Sequence, residues 1–188
     1  QTSFEKWPNL TLSHSPYQQG NNHPDSLYRT NNQFSISMAM LTYKKRFKGL
    51  NWNMMACATR SAMEISGRGP VDYRMLTITN MVQLGLRHNI MLNYLSNTTL
   101  PGVDSLNSNS IQFNYNYLAK KGFTVGTIGE HTIYKNKAFR LGGGLTASAS
   151  LIKNLSFSAL VRYDKIDGLW RLENQDVWTG KIILMWRW

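Results

Sequence analysis

The final residues of the chain, 178–188, alternate between two kinds of side chain and end on an aromatic residue. This alternation has the period of a β-strand with one apolar face. One face of the predicted strand carries Trp178, Ile182, Leu184, Trp186 and Trp188, and the other face carries Thr179, Lys181 and Arg187. Indole rings favour the depth at which lipid headgroups meet acyl chains. The segment therefore predicts a last strand with one face against lipid.

Alternating segments recur along the whole chain, and we count about ten of them, each about nine to twelve residues long, the length with which a tilted strand crosses a bilayer. In the second segment the apolar parity is Phe34, Ile36, Met38 and Met40. The opposite parity of most segments carries Ser, Thr, Asn and Gln rather than Lys and Glu. Periodicity alone also fits a soluble β-sandwich, in which the apolar face would be enclosed. The uncharged polar face favours a barrel with a polar interior.

Length and composition limit the classes of fold that the chain can adopt. The 188 residues are enough for one domain, which we place at 1–188. The chain has no run of about 18 apolar residues, so a transmembrane helix is excluded. The single cysteine, Cys57, cannot form an internal disulfide. A mean hydropathy of −0.35 does not exclude a membrane, because a barrel that encloses polar residues gives the same average.

The segments are joined by connections that alternate in length. Short ones are expected near 44–49, 87–89, 119–122 and 152–154, and long ones at about 15–32, 63–73, 97–109, 130–137 and 165–176. The short turns are basic, whereas nearly all acidic residues lie in or beside the long loops. We interpret the basic residues as a rim that anchors in lipid or binds an acidic partner. This basic rim comprises Lys44, Lys45, Arg46, Lys48, Arg87, Lys120, Lys121 and Lys153.

With these features the chain resembles bacterial outer-membrane β-barrels, whose closing strand characteristically ends in an aromatic residue. It departs from their commonest form by ending in Trp188 rather than Phe. The resemblance implies an all-β, antiparallel up-and-down transmembrane β-barrel of about ten strands, with short periplasmic turns, long extracellular loops and both termini in the periplasm. It also implies two partners: outer-membrane lipid, and the barrel-assembly machinery during biogenesis.

Two sets of residues are candidates for a functional surface. We expect the polar set to face a lumen and the aromatic set to form girdles at the membrane interfaces. A carbohydrate-binding stripe is the competing interpretation of the aromatic set, but its members share their face with Leu, Ile and Phe. The lumen set is Asn51, Asn53, Gln83, Gln112, Asn114, Asn116, Arg162, Lys181 and Arg187, and the girdle set is Trp52, Tyr94, Tyr115, Tyr117, Tyr163, Trp178, Trp186 and Trp188.

The sequence offers little for catalysis or metal binding. The four histidines are scattered, with no HExxH and no Cys-x-x-Cys pair, so we expect no catalytic residue, no metal site and no cofactor. Ser13-His14-Ser15, with Glu130-His131, could serve a lipid-acting barrel enzyme, which is the least favoured alternative. Gly142-Gly143-Gly144 lacks the context of a phosphate loop, and we expect a bend there or a place where another group packs closely.

These patterns favour a non-enzymatic structural or interaction component of an outer-membrane assembly, with other outer-membrane or periplasmic proteins as further partners. Nucleic acid is not expected, despite a net charge of +11, because the basic residues lie on turns rather than in an aromatic groove. The alternative is a pore with an anion-leaning lumen. The pore alternative is favoured if the chain is the C-terminal part of a larger barrel.

Overall fold

The computed structural model describes residues 7–20, 31–65, 68–100, 107–119, 122–152, 155–168 and 174–186. Within these ranges no helix is long and apolar enough to cross a membrane. The chain forms ten strands: β1 (Asn9–Gly20), β2 (Asn31–Phe47), β3 (Leu50–Ile65), β4 (Arg68–Leu84), β5 (His88–Leu100), β6 (Ser108–Leu118), β7 (Phe123–Tyr134), β8 (Phe139–Ile152), β9 (Leu155–Asp167) and β10 (Gln175–Trp186).

Each strand pairs antiparallel with the next one in the sequence, so the sheet order is the chain order from β1 to β10. The predicted fold class is confirmed in its all-β, antiparallel up-and-down arrangement, with ten strands of 11 to 17 residues. Within the described ladders β1 and β10 are the two edges of the sheet. All but one of the residues of β10 are exposed, as an open edge requires.

Directly paired residues of antiparallel strands point to the same side of a sheet, so the register defines two faces. We call the face that carries Leu145 and Val161 the apolar face, and the face that carries Thr146 and Arg162 the polar face. Between β6 and β9 the polar face is the enclosed one. There Leu145 is 65% exposed on the apolar face, whereas Ser110 is 4% exposed on the polar face.

The register corrects the interpretation of β2. Lys48-Gly49 forms a two-residue turn that pairs Phe47 with Leu50, and Gly49 takes a φ of 78° that favours glycine. From that turn the pairing places Leu41 and Ala39 on the apolar face. The parity of Phe34, Ile36, Met38 and Met40 therefore lies on the polar face, opposite to the prediction. The turn sets the register of a hairpin, and in β2 both parities are apolar enough that hydrophobicity does not decide it.

The connections alternate less strictly in length than predicted. We call the end of the sheet that holds connections 48–49, 85–87, 119–122 and 153–154 the tight-turn rim, and the opposite end the loop rim. At the loop rim, connections 21–30, 101–107 and 168–174 are longer, but 66–67 and 135–138 are short. The loops predicted at 63–73 and 130–137 are wrong in extent, because β3, β4 and β7 continue through residues whose polarity suggested loops.

Candidate functional site: a charged network on the polar face

Four charged side chains form a network on the polar face of β7, β8 and β9. Asp164, only 5% exposed, accepts hydrogen bonds from Arg140 Nε at 3.2 Å and from Arg162 Nη2 at 2.8 Å. Arg162 Nη2 also contacts Glu130 Oε2 at 2.6 Å. Thr132 Oγ1 donates to Ser110 Oγ at 2.9 Å or to Glu130 Oε1 at 3.2 Å. Two arginines and two carboxylates thus neutralise one another in a largely enclosed position.

The glycines of β8 make room for this network. A Cβ on Gly142 would collide with the Asp164 carboxylate and lie 2.7 Å from Arg162 Nη2. A Cβ on Gly144 would lie 2.5 Å from the carbonyl oxygen of Val161. The predicted close packing at Gly142-Gly143-Gly144 is therefore found, and the group that packs there is an ion pair of the same sheet. Of the four charged residues, only Arg162 belongs to the predicted lumen set, although the other three share the polar parity of their strands.

Uncharged amides extend the polar face toward the tight-turn rim. Asn51, Gln83, Asn89 and Asn116 are successive cross-strand partners from β3 to β6. Asn51 Nδ2 donates to Gln83 Oε1 at 3.4 Å, and Asn116 Nδ2 donates to Asn114 Oδ1 at 3.0 Å. Side-chain oxygens and amides in such a row can bind water or polar solutes.

The register brings the predicted lumen residues together. The eight that the structure describes lie on the polar face, and Arg187 lies outside the described residues. Among the described strand side chains, this face holds five cations and two carboxylates, a formal charge of +3. These cations are Lys44, Arg46, Arg140, Arg162 and Lys181, and the carboxylates are Glu130 and Asp164.

The predicted girdle residues share the apolar face. Tyr163 and Trp178 are direct partners near the loop rim, with ring centroids 5.0 Å apart, and Tyr163 Oη donates to Asp176 Oδ1 at 2.7 Å. Near the tight-turn rim, His88 Nδ1 lies 2.9 Å from Tyr115 Oη. The register also puts Trp52, Tyr94, Tyr117 and Trp186 on the apolar face, and Trp188 lies outside the described residues.

The members of the predicted basic rim that the structure describes lie at or beside the tight-turn rim. Two of them, Lys48 and Arg87, lie in its turns. The end of β2, next to the turn at 48–49, carries Lys44, Lys45 and Arg46. Lys45 Nζ sits 5.0 Å from the ring centroid of Phe47. Three further members, Lys120, Lys121 and Lys153, lie outside the described residues.

The structure separates the residues of the enzyme alternative. Adjacent residues of a strand point to opposite faces, so Ser13 and His14 do not face each other, and neither do Glu130 and His131. His14 Nδ1 instead lies 2.9 Å from Ser37 Oγ on the apolar face. Within the described residues no three His, Cys, Asp or Glu side chains form a group that could hold a metal ion.

An enclosed polar face between β6 and β9, an exposed apolar face and an up-and-down order of ten strands define the class of the chain: an all-β protein built from one antiparallel sheet in chain order. No protein-family model matches the chain, and no curated protein matches it either. Among solved structures, the chain is similar to a KdgM porin in complex with disordered oligogalacturonate. That similarity has a TM-score of 0.44 and 10% sequence identity, over 96% of this chain and 92% of that chain.

Proposed function

We propose that this chain forms the wall of an outer-membrane channel for small polar solutes, with the apolar face toward lipid and the polar face toward an aqueous lumen. The observation that carries the proposal is the enclosed polar face of β6–β9 with its charged network, which belongs to a polar face whose described strand side chains carry a formal charge of +3. A surface of amides, hydroxyls and charges is stable against water and unfavourable against acyl chains.

A positive lumen predicts the sign of selectivity. Cations on a pore wall raise the local concentration of anions and lower that of other cations. Lys181 lies beside a cavity of about 370 Å³ on the polar face, which Asn116, Thr146 and Ser148 also line. Because the four charges of the network cancel, the remaining cations Lys44, Arg46 and Lys181 set the preference. Of these, Lys181 lies in the middle of its strand, away from the tight turns.

The membrane placement completes the proposal. The aromatic residues near both rims would lie at the two interfaces, and the basic tight-turn rim would lie on the periplasmic side, where cations gain about 1 kcal/mol each near anionic headgroups. Both described ends of the sheet, at Asn9 and Trp186, lie at this rim. This orientation puts the loop rim outside the cell.

Planar-bilayer recording tests the channel directly. We expect ohmic conductance from the refolded chain and, under a salt gradient, a reversal potential that indicates anion preference. Lys181→Gln should shift that potential toward zero. Lys165→Gln is the matched control, since Lys165 lies on the apolar face opposite Asp176 and should leave selectivity unchanged. Stable insertion without conductance would overturn the channel proposal.

A second candidate rests on the network itself. Ten strands closed on themselves enclose a narrow interior that side chains can fill, and the Asp164 cluster occupies that interior. Insertion without conductance would favour this candidate, a non-enzymatic structural or interaction barrel whose basic rim binds an acidic periplasmic partner.

A further inference from the structure

A row of polar side chains interrupts the apolar face of β1–β5. The row consists of direct cross-strand partners, so that one residue from each strand lies side by side on this face. Its members are His14, Ser37, Arg60, Arg74 and Thr98. On a face whose side chains are mainly apolar, two arginines and a histidine in one row require an explanation.

The two arginines are held in an arrangement that leaves positive charge unmatched. Arg60 and Arg74 are direct partners, and like charges in that position repel. Asp72 bridges them, with Arg60 Nη2 at 3.0 Å and Arg74 Nη2 at 2.8 Å from its Oδ2. One carboxylate neutralises one arginine, so the cluster keeps a charge of about +1. Both guanidinium groups are more than half exposed and have N–H donors left for a further anion.

An apolar trough lies directly beside the polar row, on its tight-turn side. The adjacent row of partners is Leu12, Ala39, Ala58, Leu76 and Ser96. The methyl groups of Ala39 and Ala58 leave a depression between the larger side chains of Leu12 and Leu76. The two rows together line one cavity of about 700 Å³.

We propose that this cavity binds one phosphorylated membrane lipid, with the phosphate between Arg60 and Arg74 and an acyl chain along Ala39 and Ala58. Guanidinium groups bind phosphate oxygens with paired N–H donors, and small residues allow a hydrocarbon chain to approach the sheet closely. This inference rests on the proposed function, because only an apolar face turned toward lipid offers the cavity to a lipid. Because the arginines lie nearer the loop rim than the tight-turn rim, the site would select a lipid of the outer leaflet.

Native mass spectrometry of the refolded chain in detergent micelles tests the site. The probes are dimyristoyl phosphatidylglycerol, dimyristoyl phosphatidylcholine and inorganic phosphate. We expect one phosphatidylglycerol to be retained per chain, at least tenfold more tightly than phosphatidylcholine. The double variant R60Q/R74Q should abolish that preference. The control variant K165Q removes a cation from the apolar face of β9, outside the row, and should keep it.

Ala58→Leu separates lipid from free anion. Leucine fills the trough without touching the charges, so it should weaken lipid retention at least fivefold. If inorganic phosphate displaces the lipid and Ala58→Leu has no effect, the site binds an anion only and the lipid proposal is wrong. Equal retention of both phospholipids, or full retention by R60Q/R74Q, would also overturn it.

A second readout distinguishes this inference from the proposed function. Heat-modifiable migration in detergent gels reports the folded barrel for every variant, and insertion into vesicles reports the membrane placement. A chain that inserts and conducts but shows no lipid preference refutes the lipid site alone. A chain that does not insert refutes both.

Discussion

The two halves of the sheet use their faces differently. In β6–β9 apolar residues such as Phe113, Leu145 and Val161 lie on the exposed face, and the four charges of the network meet on the enclosed one. In β1–β5 a row of charged and polar residues crosses the apolar face, and thioethers line the polar face. Of the eight methionines in β2–β5, seven lie on that face, and Met54 lies on the apolar one.

This contrast indicates which of the two ion-pair clusters is expected to contribute to the stability of the fold. Asp164 in the second half is enclosed and is held by two arginines, whereas Asp72 in the first half is bonded to two exposed arginines. Enclosed ion pairs are strongly destabilising to break, because the remaining charge loses its partner without gaining water. Exposed pairs contribute little where water or lipid headgroups can solvate the charges. The same motif, one Asp between two Arg, is therefore structural in one half and available for binding in the other.

Asp164→Asn is expected to be the most destabilising substitution and tests this contrast. It leaves Arg140 and Arg162 without their shared carboxylate, and we expect a loss of about 3 kcal/mol in the free energy of unfolding. Urea unfolding from vesicles, followed by tryptophan fluorescence, measures it. Asp72→Asn is the matched control and should change stability little. Equal losses for both variants would contradict the distinction between the two halves.

Leu41→Arg and Met40→Arg test the faces of β2. Leu41 lies on the apolar face, so an arginine there should lower stability in a bilayer by about 2 to 3 kcal/mol. Met40 lies on the polar face, and arginine there should be tolerated better. The same unfolding assay compares the two. A larger loss for Met40→Arg would restore the assignment that hydrophobic parity predicted.

Gly142→Ala tests how closely the Asp164 network packs against β8. The added methyl group would overlap the Asp164 carboxylate, and such overpacking costs about 2 kcal/mol. Gly129→Ala is the control on the neighbouring strand, since a Cβ there has no atom within 4 Å. Equal stabilities of the two variants would show that the network can shift without loss.

The fold was predictable from the sequence to a large extent, and the sites only in part. Alternation identifies about ten strands because the two faces of each strand carry opposite residue types, and this contrast is strong in β8 and β9. It fails in β2, where Met38 and Ala39 are both compatible with either face. The Asp164 network and the Arg60 cluster depend on which residues become cross-strand neighbours. Residues such as Arg140 and Arg162 are far apart in the sequence, and only the register brings them together.

The mildest substitution concerns the turn that fixes the register of β2. Gly49 adopts a φ of 78°, which costs another residue about 1 kcal/mol, so Gly49→Ala should lower the free energy of unfolding by about that amount. Gly180→Ala in β10 is the control, since that glycine has no positive φ and a Cβ there would have no atom within 4 Å.

If the turn alone holds Leu41 on the apolar face, Gly49→Ala should also make a cysteine at position 40 more reactive toward a lipid-soluble maleimide. Unchanged labelling would mean that the ladders on both sides of β2 hold the register without the turn. In that case the two apolar parities of β2 are distinguished by their neighbours in β1 and β3.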